Sequence, residues 1–199
     1  MDKVFLVIVL LLSAVFHEYM HGFAAFKLGD LTAKNAGRLT FNPIKHIDPF
    51  GSIIVPLLML VSGSSFLFAW AKPVPYNPNN LNDKKYGEAK VALAGPMANF
   101  ALALVFALIW RVMPFVSLTF SGFIAIIIYI NLILMVFNLL PIPPLDGSKV
   151  VSAFLSPEKK LRYLSLERYG LLFVLLFVLL FSNLLIIPVN FLFGVLVGA

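Results

Sequence analysis

A run of about 20 apolar residues is long enough for one helix to cross a bilayer, and this chain has such runs at roughly 4–26, 50–70, 91–110, 122–142 and 169–187. Charged stretches at 27–48, 72–90 and 146–168 separate them. Charged residues make up only 12% of the chain and its mean hydropathy is +0.98, whereas a soluble domain carries about 25% charged residues. The expected fold class is therefore an all-α polytopic membrane protein with about four transmembrane helices. Its 199 residues form one membrane-embedded domain, with a core at 1–155 and a C-terminal helical segment at 168–199. The first run follows Lys3 in the manner of a signal peptide, but no small-x-small cleavage site follows and the apolar character continues to Phe26. Residues 4–26 are read as a retained helix about 34 Å long.

The segment at 50–70 decides the topology. Ser62-Gly63-Ser64-Ser65 interrupts it between Ile53–Val61 and Phe66–Trp70. If it spans, the 15 Lys and Arg divide ten against five. If it enters and leaves by the same face, thirteen share one side and only Lys3 and Arg111 lie opposite. Cations collect on the cytoplasmic side, so the re-entrant or interfacial arrangement is preferred, with the N-terminus outside. The last apolar residues, 184–199, either extend the final span past Pro188 or fold back. A short membrane-surface strand is expected near 36–44, where apolar and polar residues partly alternate. Its free edge would suit pairing with an extended peptide.

Within the first run stands His17-Glu18-Tyr19-Met20-His21. On a helix this spacing puts two imidazoles one turn apart on one face, with a carboxylate beside them. Two zinc ligands and a general base are thereby in place. Ionisable groups this deep in an apolar segment are costly, so they read as functional. The chain has no cysteine, which excludes a disulfide framework, thiolate ligands and cysteine nucleophiles. A third ligand must come from Asp146, Asp48, His46, Asp30 or Asp83. Asp146 follows Pro141-Ile142-Pro143-Pro144-Leu145 and precedes Gly147. Such irregular backbone is tolerated at membrane depth only where it is buried or lines a cavity. His46-Ile47-Asp48-Pro49 is the rival pair and reads as a loop turn. Gly95-Pro96 reads as a helix-start signal opening the 91–110 helix. Asn99 and Asn138 are amides in apolar surroundings that need partners, either another helix or a substrate backbone. Asn131 reads as helix–helix glue.

These motifs together resemble the site-2 protease family of intramembrane zinc metalloproteases, in its small prokaryotic form. The match lies in His17-Glu18-x-x-His21, Gly95-Pro96-x-x-Asn99 and Asn138-x-x-Pro141-x-Pro143-Pro144-Leu145-Asp146-Gly147, in the family's order, over residues 1 to about 155. The resemblance implies Zn2+ held by His17, His21 and Asp146, with Glu18 as the catalytic base. It also implies substrate or oxyanion contacts from Asn99 or Asn138. The implied reaction is hydrolysis of a peptide bond in or near a transmembrane segment of a membrane-protein substrate, single-span or signal-peptide-like. The site would lie near the cytoplasmic face of a cell membrane. Neither a PDZ-like insert nor a CBS pair is found in the sequence. The rival reading is a small ion or proton transporter using His17, Glu18 and His21 as a relay. The outer half of the first helix offers it only Ser13. A membrane scaffold that kept a structural metal is the third reading. The net charge of +6, gathered on one face, suits an anionic lipid surface rather than nucleic acid.

Overall fold

The computed structural model describes residues 3–62, 70–113 and 117–198. They form helices α1 (Lys3–Lys27), α2 (Thr32–Asn35), α3 (Val55–Val61), α4 (Gly87–Val112), α5 (Leu118–Asn138), α6 (Asp146–Ser152), α7 (Pro157–Leu164) and α8 (Gly170–Val197). Helices α1, α4 and α5 and the stretch from α7 through α8 are each long and apolar enough to span a membrane. The chain is thus an all-α, multi-pass membrane protein.

In lipid, apolar burial does not drive helices together, so small residues and polar contacts decide which helices pack closely. Helix α4 supplies both. Its Ala103 and Ala107 are buried against Ile124, Ile128, Leu132 and Met135 of α5, and Val189 of α8 joins the same cluster. A second cluster, Ala25, Leu81 and Val91, joins the end of α1 to the beginning of α4. Helix α4 is therefore the central post, with α1 and α5 against it and α8 mainly against α5.

The contacts at the helix ends fix the topology. At the far end of α4, Arg111 donates from Nε and Nη2 to the carbonyls of Leu196 and Val195, both at 2.8 Å, which places the ends of α4 and α8 together. Residues 184–197 thus continue one helix across the bundle instead of folding back. That helix bends at Phe181, whose φ of −130° is not helical. The ends of α1 and α5 and the start of α8 share the opposite face.

Between α1 and α4 the chain makes an excursion. Asp48 caps helical turns over Pro49–Ile54 by accepting from the backbone N–H of Phe50 and Gly51, and Pro49 occupies the first helical position. The apolar helix running from Pro49 to Met59 is too short to span. The Ser-Gly-Ser-Ser break and the returning limb fall mostly on 63–69, outside the described residues. The two limbs nevertheless meet. Trp70 N–H donates to the Gly51 carbonyl at 3.2 Å, Ser52 Oγ donates to the Trp70 carbonyl at 2.8 Å, and Lys72 N–H donates to the His46 carbonyl at 2.8 Å. The excursion therefore returns to where it began and adds no net crossing. Residues 70–77 then run as an irregular strap toward α4.

Two expectations need correcting. Residues 36–44 form no strand. Gly37 turns the chain at φ +63°, and Asn42 caps a 3-10 turn over Pro43–His46 by accepting from Ile44 N–H. Proline at the start of that turn has no N–H for a ladder. Gly95-Pro96 does not start a helix either. Helix α4 begins at Gly87, and Pro96 sits in its interior.

Candidate metal centre

His17 and His21 lie on consecutive turns of α1 and present Nε2 to each other at 2.9 Å. Asp146, the first residue of α6, brings Oδ2 to 3.1 Å from His17 Nε2 and 3.2 Å from His21 Nε2. Asp146 gets there because α6 folds tightly back on the end of α5. A Cβ at Gly147 would collide with the carbonyls of Leu139 and Leu140, so only glycine fits beside the acid.

The far side of each imidazole shows why these three atoms suit a cation. His17 Nδ1 lies 2.6 Å from Asn99 Oδ1, and His21 Nδ1 lies 2.7 Å from the Val91 carbonyl. Both partners are acceptors, so each Nδ1 carries the proton and each Nε2 presents a bare lone pair. With both imidazoles neutral, two lone pairs and a carboxylate oxygen then face one another with no proton between them. That arrangement is repulsive on its own and complementary to a metal ion. Outer partners of this kind hold a ligating histidine in its tautomer and orientation.

The support for His17 runs deeper. Asn99 is fully buried. Its Nδ2 donates to Asn131 Oδ1 at 2.9 Å and to the Ser13 carbonyl at 3.3 Å, which sets its Oδ1 toward His17. Asn131, also fully buried, donates in turn to Ser13 Oγ at 3.0 Å and to the Ile127 carbonyl at 2.9 Å. Three helices thus share one polar chain ending at His17. Asn99, read as bonding either another helix or a substrate backbone, stands behind His17 and is not among the residues lining the cavity. Asn138 does line the cavity, while its Nδ2 donates to Leu134 within α5.

Glu18 faces the same cavity as the two histidines and Asp146. Its Oε2 accepts from Val74 N–H at 2.8 Å, so the strap fixes the direction of the carboxylate. The cavity, about 460 Å3, is lined by α1, the strap, α4, α5, α6 and α8. Sequence reasoning gave no sign of Val74, because a backbone N–H carries no residue signature. It also missed the part played by Gly95. A Cβ there would lie 2.5 Å from Nε2 of both histidines, so glycine leaves the room in which an ion would sit. The proline beside it made the pair look like helix punctuation.

The other candidate ligands are engaged elsewhere. His46 is buried and pairs through Nε2 with the Thr40 carbonyl at 2.8 Å. Asp48 is the helix cap already described. Asp83 caps the turn before α4 and pairs with Lys90. Asp30 is fully buried and accepts from Thr32 N–H and Oγ1, Asn77 N–H and Asn80 Nδ2. Burial alone would raise its pKa, but these donors together hold it below the ordinary carboxylate value. Among the described residues, His17, His21 and Asp146 form the cluster of ligand atoms close enough to share a metal ion.

Comparison with known proteins identifies the family. A model of peptidase family M50 matches residues 111–181, the stretch that brings Asn138 and Asp146 to the site. YwhC of Bacillus subtilis is 39% identical over 183 residues, 87% of this chain and 80% of the relative. Rip2 of Mycolicibacterium smegmatis is 32% identical over 82% of this chain and 62% of its own length. MJ0611 of Methanocaldococcus jannaschii is 37% identical over 69% of this chain and 63% of its own. Each of the three bears a name that proposes zinc metalloprotease activity. No solved structure matches. The extended similarity to YwhC and the family match around Asp146 lead to one conclusion: the chain belongs to peptidase family M50, the site-2 protease family.

Proposed function

We propose that the protein is a zinc-dependent intramembrane endopeptidase that hydrolyses a peptide bond in or near a transmembrane segment of a membrane-protein substrate. The observation that carries this reading is the convergence of His17 Nε2, His21 Nε2 and Asp146 Oδ2 with Glu18 on the wall of the same cavity. His17, His21 and Asp146 would hold a zinc ion, which would supply Lewis acidity to activate water at neutral pH.

The chain's own residues do the rest. Glu18, aligned by Val74 N–H, accepts the proton of the attacking water and returns it to the nitrogen of the leaving amine. Water oxygen joins the carbonyl carbon, the C–N bond breaks, and a carboxylate and an amine result. Asn99 and Val91 keep the two imidazoles in the tautomer that ligation needs. Asn138, on the cavity wall, is placed to meet the substrate backbone. The apolar lining contributed by Ala14, Leu134 and Val174 accepts side chains of a membrane segment, which must unwind locally to expose its amide. The thirteen cations on the face near the site favour placing it at the cytoplasmic side of a cell membrane.

The test is cleavage of reconstituted single-span peptides by wild type, Glu18→Gln and Asp146→Ala, with zinc measured in each. Wild type should cut, and Glu18→Gln should retain zinc while losing on the order of 10²–10⁴-fold in rate. Asp146→Ala should lose zinc. A wild-type protein that neither holds nor takes up zinc would sink this reading and favour the ion relay.

A further inference from the structure

The cavity is not uniform along its length. Ala14 lies toward the middle of α1 and the bundle, in apolar company. Tyr76 and Lys149 line the same cavity, and Tyr76 packs against the cluster of Ala25, Leu81 and Val91 at the end of α1. From Ala14 to Ala25 is roughly 16 Å along a helix, with the metal ligands between. A substrate lying in this cavity therefore meets apolar walls on one side of the ligands and a cation on the other.

Lys149 is the sole Lys or Arg among the residues lining the cavity. It stands one turn beyond Asp146 on α6, and the ring of Tyr76 holds its Nζ 5.6 Å from the ring centroid. Burial disfavours its charge. The Tyr76 oxygen and the carboxylates of Asp146, Glu167 and Glu88 outweigh burial and raise its pKa above the ordinary lysine value, so it is cationic at neutral pH. Yet none of the three acids comes within ion-pair distance of Lys149, and two of them have closer partners. Asp146 faces the two histidines and Glu88 pairs with Lys160. Among the described residues Lys149 makes no ion pair. A half-buried ammonium on the cavity wall, with no carboxylate at ion-pair distance among the described residues, is what a carboxylate-binding subsite requires.

We infer that Lys149 forms a carboxylate-binding subsite at the surface end of the catalytic cavity, selecting substrates with an acidic side chain or a free C-terminal carboxylate beyond the scissile bond. This rests on the protease reading and adds a rule of selection to it. Transmembrane segments usually carry Lys or Arg on their cytoplasmic flank, and such flanks meet repulsion from Lys149. An acidic flank is therefore a distinguishing mark.

The experiment uses one single-span peptide in three forms: with Glu beyond the intended cut site, with Gln in its place, and with Gln plus an amidated C-terminus. Each is assayed with wild type, Lys149→Met and Lys149→Arg in the full-length protein. Wild type should favour the Glu peptide over the doubly neutral one by on the order of 10-fold in kcat/KM. Lys149→Met should bring that ratio to about one, and Lys149→Arg should keep it. If Gln alone leaves the preference and amidation removes it, the carboxylate is the terminal one. A wild-type ratio of one overturns the subsite without recourse to any variant. So does a ratio unchanged in Lys149→Met, which leaves the lysine a purely structural partner of Tyr76. Wild type that cuts no form of the peptide refutes the protease reading itself, and the subsite with it.

Discussion

Helices α4 and α8 contain the same unusual residues and use them differently. Each is a long apolar helix with an internal proline, Pro96 or Pro188, followed within a turn by an asparagine, Asn99 or Asn190. The segment ending in α8 is the more apolar, with mean hydropathy 2.9 against 2.0, yet 11% of its most apolar window is buried against 39% for α4. Apolarity therefore does not mark the centre of this molecule. Lipid accommodates Leu179, Leu180 and Phe191, all well exposed on the protein surface. The interior is instead marked by residues small enough for close approach and polar enough to need partners. Asn99 reaches His17, whereas Asn190 accepts one bond from Tyr129 at 2.9 Å.

The contrast can be broken at the glycine. Gly95→Ala should lower metal affinity by more than about 100-fold, because its Cβ claims space 2.5 Å from both imidazole nitrogens. Pro188→Ala in α8 should leave metal content unchanged. Competition titration with a chelator of known affinity separates the two, and equal losses would show that both helices serve the site.

A smaller effect is expected at the asparagines. Asn99→Leu removes the acceptor of His17 Nδ1 and should cost about 10–100-fold in metal affinity, the usual range for such outer partners. Asn190→Leu should leave affinity within error, since its partner is a Tyr129 hydroxyl far from the ligands in sequence. The smallest effect belongs to Arg111→Met. It removes two hydrogen bonds at the exposed end of α8 and should cost about 1 kcal/mol or less. Faster amide exchange should be confined to the last turns of α8, with metal affinity unchanged. Spread of that exchange to α1 would mean that α8 braces the metal centre after all.

The spans, the His pair and the Asp146 loop were legible because each has a strong one-dimensional signature. Length and apolarity reveal a span, a four-residue spacing reveals a shared helix face, and crowded prolines reveal a broken helix. The uneven division of Lys and Arg even foretold that the 50–70 excursion returns to its own side, as the Trp70–Gly51 contact shows. What failed were features whose meaning depends on a neighbour distant in sequence. Gly95-Pro96 has one appearance whether it starts a helix or hollows one out. Helix α4 in fact starts two turns earlier, where Glu88 and Lys90 hid it from a hydropathy reading. An amide at 99 gives no hint that its partner is a histidine 82 residues away. Partial alternation at 36–44 suggested a strand, but Gly37 and Pro43 bend that stretch out of any ladder.

The hydrogen bond from Val74 to Glu18 also bears on how such a site could be inhibited. In the proposed mechanism the base takes its bearing from a segment that walls the cavity, so access and proton transfer would share a mechanical linkage. A compound wedged behind residues 70–77 would rotate the carboxylate while leaving the cavity free. It would reduce turnover without competing with substrate, which opens a route to inhibitors that carry no metal-chelating group.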